Sequence, residues 1–296
     1  MIKKRMAVVA LLTALMVSNS AGTYVYAAES QPTKEQKAQV QTEETKEDNT
    51  SEDNVPQITE EELAQYYGNS VFVGDSIMLG FRNYCTKKED SFVHEIQFLA
   101  AGSYSAFNAA KPVTDKNVHP LYKGKKYQVW EAVRLMGVER VFILLGMNDI
   151  SILGLEGARD QYKEVIDKIL EVNPDVEIHI MSTTYTLKNA GKGKLNNENI
   201  AKYNELLKKM AEENGWGYMD VATPISDGKG NLKSNYCSDE YVHLNSSAYD
   251  IWETVLRNYA IEQKKVEEEP EVEVTTQTET EKNTEEQGNV QSKGLD

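Results

Sequence analysis

The chain has 296 residues, a formal net charge of −15 and 27% charged side chains. This acidic balance argues against nucleic acid and against anionic lipid surfaces as partners, because both carry negative charge themselves. The two cysteines and four scattered histidines show no metal-ligand spacing, so the sequence predicts no metal site.

The N-terminal segment has the features of an export signal. Residues 1–5 are basic, residues 6–17 are apolar, and Ala27 and Ala28 supply small side chains for a cleavage site. The apolar run is short for a membrane span, and an uncleaved anchor is the alternative. We therefore predict a signal peptide over residues 1–28 and a secreted or cell-surface location.

Two polar segments flank the part of the chain that is expected to fold. Residues 29–57 and 263–296 are acidic, rich in Glu, Thr and Gln, and poor in apolar side chains. Such a composition buries too little apolar surface to offset the entropy lost on ordering, so both segments are predicted to be disordered. We interpret them as solvated spacers between a cell-wall surface and one domain, residues 58–262; a specific binding role is the alternative.

The first predicted strand leads into a candidate nucleophile. Val71–Val73 is a short apolar run, which is typical of a buried parallel strand. Gly74 and Asp75 predict a tight turn, and Ser76 follows at the start of a helix that runs to about residue 84. A serine there lies beside free backbone N–H groups that stabilise an anion; the alternative, which the tripeptide alone does not exclude, is that Ser76 is an ordinary helix cap.

Strands and helices alternate along the rest of the domain. Further strands are predicted over residues 93–99, 140–145, 176–181 and 216–221, and further helices over residues 59–68, 128–136, 155–171, 196–214 and 246–262. Residues 111–127, with several Lys and Tyr, are interpreted as a solvated loop or, alternatively, as a substrate-facing loop. The alternation predicts an α/β fold, a flavodoxin-like three-layer α/β/α arrangement with a five-stranded parallel sheet. Ligands of such folds bind at the carboxyl ends of the strands.

Four residues with useful chemistry follow predicted strands or precede the last helix. In chain order they are Ser76, Gly102, Asn148 and His243. This pattern resembles the SGNH hydrolases, also called the GDSL esterase/lipase superfamily, over about residues 70–260. The resemblance is carried by Gly74-Asp75-Ser76, Gly102, Gly146-x-Asn148-Asp149 and Val242-His243-Leu244.

The resemblance assigns each residue a role that its chemistry supports. Ser76 is the expected nucleophile, and His243 is the base that takes its proton. The oxyanion that then forms needs donors already in place: the N–H groups of Ser76 and Gly102 and the side-chain amide of Asn148. The resemblance implies no cofactor.

The acidic partner of His243 is less clear, because the sequence departs from the family pattern. The family usually places an aspartate three residues before the histidine, where it fixes the imidazole tautomer. Here Glu240 has that spacing, and Asp239 lies one residue earlier. We favour Asp239; Glu240 or a backbone carbonyl are the alternatives.

These residues lead us to expect an exported serine ester hydrolase that works through an acyl-enzyme. A small-molecule or polysaccharide ester is the expected substrate, with O-acetyl groups on carbohydrate favoured. A lysophospholipase or thioesterase, or a non-catalytic carbohydrate-binding surface protein, are the alternatives. We expect a monomer, and pairing of Cys85 with Cys237 is left open.

Overall fold

A five-stranded parallel sheet forms the centre of the structure, a computed structural model that describes residues 58–268. Its strand order is β2-β1-β5-β6-β7, and every neighbouring pair is parallel. The sheet strands are β1 (Ser70–Gly74), β2 (Gln97–Ala100), β5 (Arg140–Leu144), β6 (Glu177–Met181) and β7 (Gly217–Met219), and β3 (Leu121–Tyr122) and β4 (Lys125–Lys126) form a separate antiparallel hairpin. The predicted α/β class and five-stranded parallel sheet are confirmed, and the order 2-1-3-4-5 among sheet strands is the flavodoxin-like one.

Apolar runs place the central strands inside the core. All five residues of β1 are buried, and β1 pairs with β2 on one side and with β5 on the other. Phe72 and Phe142, which face each other in the register of β1 and β5, stack with ring centroids 4.5 Å apart. Burial on both faces explains why these strands are continuously apolar rather than alternating.

Seven α-helices complete the domain. They are α1 (Glu60–Gly68), α2 (Ser76–Cys85), α3 (Ala106–Ala109), α4 (Val129–Met136), α5 (Met147–Val172), α6 (Asn197–Asn214) and α7 (Ser246–Glu268) within the described residues. Thr59 and Glu62 form the predicted capping box of α1, and α4 ends at Gly137 in the left-handed conformation.

The last helix joins the end of the domain to its beginning. Trp252 is fully buried and its Nε1 donates to the Val221 carbonyl at 3.0 Å, while Tyr249 Oη donates to the Ile77 carbonyl at 2.8 Å. α7 continues six residues beyond the predicted end at residue 262, and Lys264 forms an ion pair with Glu62 of α1 at 2.6 Å. Residues 263–268 of the predicted tail are therefore helical.

Other boundaries also differ from the sequence-based expectation. Residues 92–95 form a 3₁₀ turn capped by Ser91, so the second strand begins at Gln97 rather than at residue 93. α5 begins directly after β5, at Met147, and Gly154 interrupts it with a non-helical φ of 77°. The predicted loop of residues 111–127 contains the β3–β4 hairpin.

Three predictions fall on residues outside the described range: the signal peptide of residues 1–28, the linker of residues 29–57, and the tail from residue 269 onward. Among the described residues, no helix is long and apolar enough to cross a membrane. Cys85 and Cys237 are both free thiols, so the structure does not contain the disulfide that the sequence left open.

Candidate active site

The carboxyl ends of β1, β2 and β5 meet at one edge of the sheet, and the turns that follow them are joined by hydrogen bonds. These strand-end turns, residues 74–76, 102–107 and 146–149, contain Ser76, Gly102 and Asn148. The loop before α7, residues 237–244, brings His243 to the same edge, and we call it the His243 loop. The four predicted residues thus lie on segments that the strand order brings together.

The turn that carries Ser76 is fixed by its two preceding residues. Asp75 is the N-cap of α2, and its Oδ1 accepts a hydrogen bond from the Ile77 N–H at 2.9 Å. A Cβ added to Gly74 would lie 2.5 Å from Met78 Cβ and 2.9 Å from the Leu144 carbonyl oxygen. Glycine is therefore required at position 74 by close packing. Ser76 itself is the first residue of α2 rather than its cap.

His243 connects Ser76 to a carboxylate. Its Nε2 lies 3.0 Å from Ser76 Oγ, and its Nδ1 lies 2.5 Å from Asp239 Oδ2. A carboxylate at Nδ1 fixes the proton there, so Nε2 presents a lone pair to the serine hydroxyl. This arrangement allows His243 to take the proton of Ser76.

Asp239, and not Glu240, occupies the position beside His243. Asp239 Oδ1 accepts hydrogen bonds from the backbone N–H groups of Tyr241, Val242 and His243, at 2.9, 2.9 and 3.1 Å. Asp239 lies one residue further from His243 than the family spacing, and the chain accommodates this extra residue because Glu240 adopts a left-handed conformation with φ of 62°. The four-residue spacing therefore preserves the carboxylate–imidazole contact at the cost of backbone strain at Glu240.

The same contacts control the ionisation of Asp239. Partial burial by itself raises its pKa, but the hydrogen bonds from His243 and from the three backbone N–H groups outweigh burial and hold the pKa well below the usual range. Asp239 is therefore ionised at neutral pH.

Asn148 joins the three strand-end turns. Its Nδ2 donates to Asp75 Oδ2 at 3.2 Å and to the Tyr104 carbonyl oxygen at 3.1 Å. Asp75 precedes Ser76, and Tyr104 lies two residues after Gly102. The amide is thus oriented by one group from each neighbouring turn.

Asp149 is a second buried carboxylate that ties these turns together. Its two carboxylate oxygens accept the N–H groups of Phe107 and Ala106, at 2.9 and 3.2 Å. These contacts hold the beginning of α3, and with it the turn that contains Gly102, against the beginning of α5. Burial raises the pKa of Asp149, and the backbone hydrogen bonds oppose that shift.

Asp75 is the other buried carboxyl group of these turns. Its side chain is 1% exposed. Burial raises the pKa of Asp75 to about 7, although the bond from Ile77 lowers it; the nearby charge of Asp149 raises it further. The sequence analysis assigned no role to Asp75, Asp149 or Tyr104. The only signal was that Asp75 and Asp149 flank the predicted Ser76 and Asn148.

Gly102 lies in an exposed turn, and a Cβ built there would meet nothing within 4 Å. Packing of the protein therefore does not require glycine at this position. The Ala101 N–H donates to the Gly74 carbonyl at 3.2 Å, which places this turn beside that of Ser76.

Within the described residues, none of the other three histidines is hydrogen-bonded to Ser76 or Asp239. His179 is buried in β6, stacks on Phe142 and bonds to Tyr259 Oη at 2.7 Å. His119 is buried beside Tyr104, and His94 is exposed. Within residues 58–268, no group of three His, Cys, Asp or Glu side chains is arranged to hold a metal ion.

The sequence profile described as the "GDSL-like Lipase/Acylhydrolase family" matches residues 72–251, which is more than half of the chain. The chain belongs to this family. The resemblance to SGNH hydrolases is therefore confirmed, and so is the predicted enzyme class, a GDSL-type carboxylic ester hydrolase.

Individual relatives are more distant. A multidomain esterase from Ruminococcus flavefaciens is 34% identical over 110 residues, which are 37% of this chain and 14% of that protein. A GDSL-like lipase from Bacteroides thetaiotaomicron is 17% identical, with 66% of this chain and 88% of that chain covered and a TM-score of 0.49. A carbohydrate esterase family 3 protein from Talaromyces cellulolyticus is 14% identical, with 67% and 98% covered and a TM-score of 0.48. The sequence identities and TM-scores of these two structures are too low to support an argument about function.

Proposed function

We propose that this protein is an exported serine esterase that removes small acyl groups, such as O-acetyl groups, from carbohydrate. The observation that carries the proposal is the hydrogen-bonded chain from Ser76 Oγ through His243 to Asp239. A serine hydroxyl is a weak nucleophile at neutral pH, and an oriented imidazole is the group that activates it.

The reaction proceeds in two steps. His243 Nε2 takes the Ser76 proton while Oγ attacks the ester carbonyl carbon, and the imidazolium then gives that proton to the leaving alcohol. An acyl-enzyme on Ser76 remains. Water, activated by the same imidazole, attacks the acyl carbon, and the acid and the free serine are released.

Negative charge develops on the carbonyl oxygen in both steps. The N–H groups of Ser76 and Gly102 and the amide of Asn148 are the proposed donors. Since Asn148 Nδ2 already donates to Asp75 and to the Tyr104 carbonyl, the oxyanion has to share one of these hydrogens. Asp75 and Tyr104 thus act as positioning groups for the amide.

Carbohydrate esters are supported by the charged and polar composition of the loops around the site and by the predicted export signal. The R. flavefaciens relative, of which this chain spans 14%, is a multidomain esterase, which is in keeping with ester hydrolysis but names no substrate.

The proposal is tested with the full chain and the variant Ser76→Ala. We expect hydrolysis of p-nitrophenyl acetate to fall by about 10⁴-fold or more, because the nucleophile is lost while binding remains. Mass spectrometry after treatment with a fluorophosphonate should place the label on Ser76. Equal rates for the two proteins, or a label elsewhere, would contradict the serine esterase and leave a binding protein on this fold.

A further inference from the structure

Lysines are concentrated in the loops at the edge of the sheet that carries Ser76. These loops are residues 102–127, 183–196 and 222–245, which follow β2, β6 and β7, and we call them the lysine-rich loops. They contain ten lysines and four acidic residues, whereas the remainder of residues 58–268 contains 14 basic and 27 acidic residues. The edge around the site is therefore positive within an otherwise acidic domain.

The lysines of these loops have no carboxylate partner, whereas most described lysines elsewhere form an ion pair. On the helices, Lys163 pairs with Asp167 and Lys202 pairs with Glu198, both at 2.7 Å. None of the ten lysines forms an ion pair within the described residues. Lys126 is held inside its own loop, because its Nζ donates to three carbonyl oxygens at 2.8 to 3.1 Å. The other nine have no carboxylate that neutralises them.

The lysine-rich loop of residues 183–196 contacts the His243 loop, which is itself part of the lysine-rich loop of residues 222–245. The Leu187 N–H donates to the Tyr241 carbonyl at 2.8 Å, and Lys192 Nζ lies 4.8 Å from the centre of the Tyr241 ring. Tyr241 is two residues from His243. Lys192 is therefore held against the loop that carries the proposed base.

A cavity of about 370 Å³ opens between these loops. It is lined by Leu187, Lys188, Asp227, Leu232, Lys233, Ser234 and Asn235. The carboxylate of Asp227 is occupied by its own turn, where it accepts from the N–H groups of Lys229 and Asn231 and from Asn231 Nδ2. Lys188 and Lys233 are exposed, and no ion pair within residues 58–268 uses their ammonium groups.

We propose that the ester substrate is an acidic polysaccharide, whose carboxylate or phosphate groups are bound by Lys188 and Lys233 beside the reacting ester. This proposal rests on the proposed function, since it names the carrier of the ester that Ser76 attacks. Unpaired ammonium groups around a cleft attract anionic ligands and increase their rate of association. A neutral glycan gains nothing from them.

A lipid surface fits the same charges less well. Binding to lipid requires large apolar side chains that enter the headgroup region together with the basic ones. In the described part of the lysine-rich loops, only Val113 and Leu121 are exposed large apolar side chains, at 39% and 59%. Five of the seven residues that line the cavity are polar or charged, which suits a glycan.

The test uses the double variant Lys188→Gln/Lys233→Gln and the control Lys208→Gln/Lys209→Gln, which removes the same charge from exposed positions on α6. Binding of oligogalacturonate, of a glycerol-phosphate polymer and of a neutral cello-oligosaccharide is measured by calorimetry at low salt. The two anionic probes distinguish carboxylate from phosphate recognition. Vesicles of phosphatidylglycerol are included as the lipid probe.

We expect at least one anionic glycan probe to bind about 10-fold more tightly than the neutral one, and the double variant to lose about 10-fold in that affinity. The control should change less than about 2-fold, and added salt should abolish the preference. Turnover of p-nitrophenyl acetate should be equal in all three proteins. That ester tests the esterase separately, and binding is measurable even in a protein without turnover.

Three results would overturn the proposal. The first is that the neutral oligosaccharide binds as tightly as both anionic probes. The second is that the double variant binds like its control. The third is that the vesicles are bound and the anionic glycans are not.

Discussion

The two sides of Ser76 carry aspartates in opposite environments. Asp239, in the His243 loop, has a side chain that is 33% exposed and accepts hydrogen bonds from three backbone N–H groups and from His243. Asp75, in the strand-end turns, is 1% exposed and accepts from Ile77 and from the Asn148 amide. The pKa of Asp239 is lowered below its usual range, whereas that of Asp75 is raised to about 7.

This difference shows how one side-chain type serves two purposes at one site. A carboxylate that must stabilise an imidazolium has to remain ionised, and many donors ensure that it does. A carboxyl that only orients a neutral amide tolerates burial, since its charge is not required by the reaction. Environments that separate the pKa values of two acids commonly separate their roles.

The largest effect is expected from Asp239→Asn. The amide would present an N–H to Nδ1, so the imidazole would carry its proton on Nε2 and could not accept one from Ser76. We expect kcat for p-nitrophenyl acetate to fall by about 10⁴-fold. The neighbouring Glu240→Gln is the control and should retain nearly full activity. Retained activity in Asp239→Asn together with a large loss in Glu240→Gln would show that Glu240, not Asp239, is the acid.

A smaller loss is expected from Asp75→Asn on the other side of Ser76. Asparagine keeps the oxygen that caps α2 but turns an N–H toward Asn148 Nδ2, so the Asn148 amide has to move or flip. Misplacing one oxyanion donor costs about 10²-fold in kcat, with little change in KM. Asn148→Ala serves as the reference for complete loss of the donor. An unchanged kcat in Asp75→Asn would remove the positioning role.

The same variant gives a pH-dependent difference in stability. Because the folded state raises the pKa of Asp75 from 3.8 to about 7, the folded protein retains a proton that the unfolded chain releases between these values. Asp75 therefore lowers the free energy of unfolding as pH rises from about 4 to 7, the reverse of the effect of Asp239. Urea unfolding at several pH values should show that the free energy of unfolding of Asp75→Asn increases relative to that of the parent chain as pH rises across this interval. Parallel curves would contradict the raised pKa.

The smallest effect concerns the strained residue of the His243 loop. Glu240→Gly removes the cost of a left-handed conformation, about 1 kcal/mol, and should raise the melting temperature by about 2 to 4 °C. Glu240→Ala is the matched control, because it removes the carboxylate and keeps the strain. Equal melting temperatures for the two variants would show that strain at this position is negligible.

Much of this arrangement was predictable because local sequence specifies it. The apolar run of Val71–Val73 indicated a buried strand, and the alternation of strands and helices indicated a parallel sheet. Ser76 and Asn148 could then be placed at one edge, since both directly follow strands. These inferences need only hydrophobic patterns and the position of turn residues.

The rest depends on contacts between distant segments. The bond from Asn148 to Asp75 joins residues 73 apart and exists only because β5 lies beside β1. Whether Asp239 or Glu240 meets His243 is decided by one backbone angle, the positive φ of Glu240. The extension of α7 depends partly on Lys264 meeting Glu62 of the first helix. No local pattern encodes such pairings.

Ser76 and His243 are 167 residues apart, on the first strand turn and the last loop of the domain, and α7 closes the structure by bonding to Ile77. A chain interrupted during synthesis before residue 243 lacks the imidazole, and one that ends soon after it lacks the helix that secures the loop. Appearance of turnover during refolding or translation should therefore coincide with the final docking event, which makes hydrolysis a reporter of completed assembly.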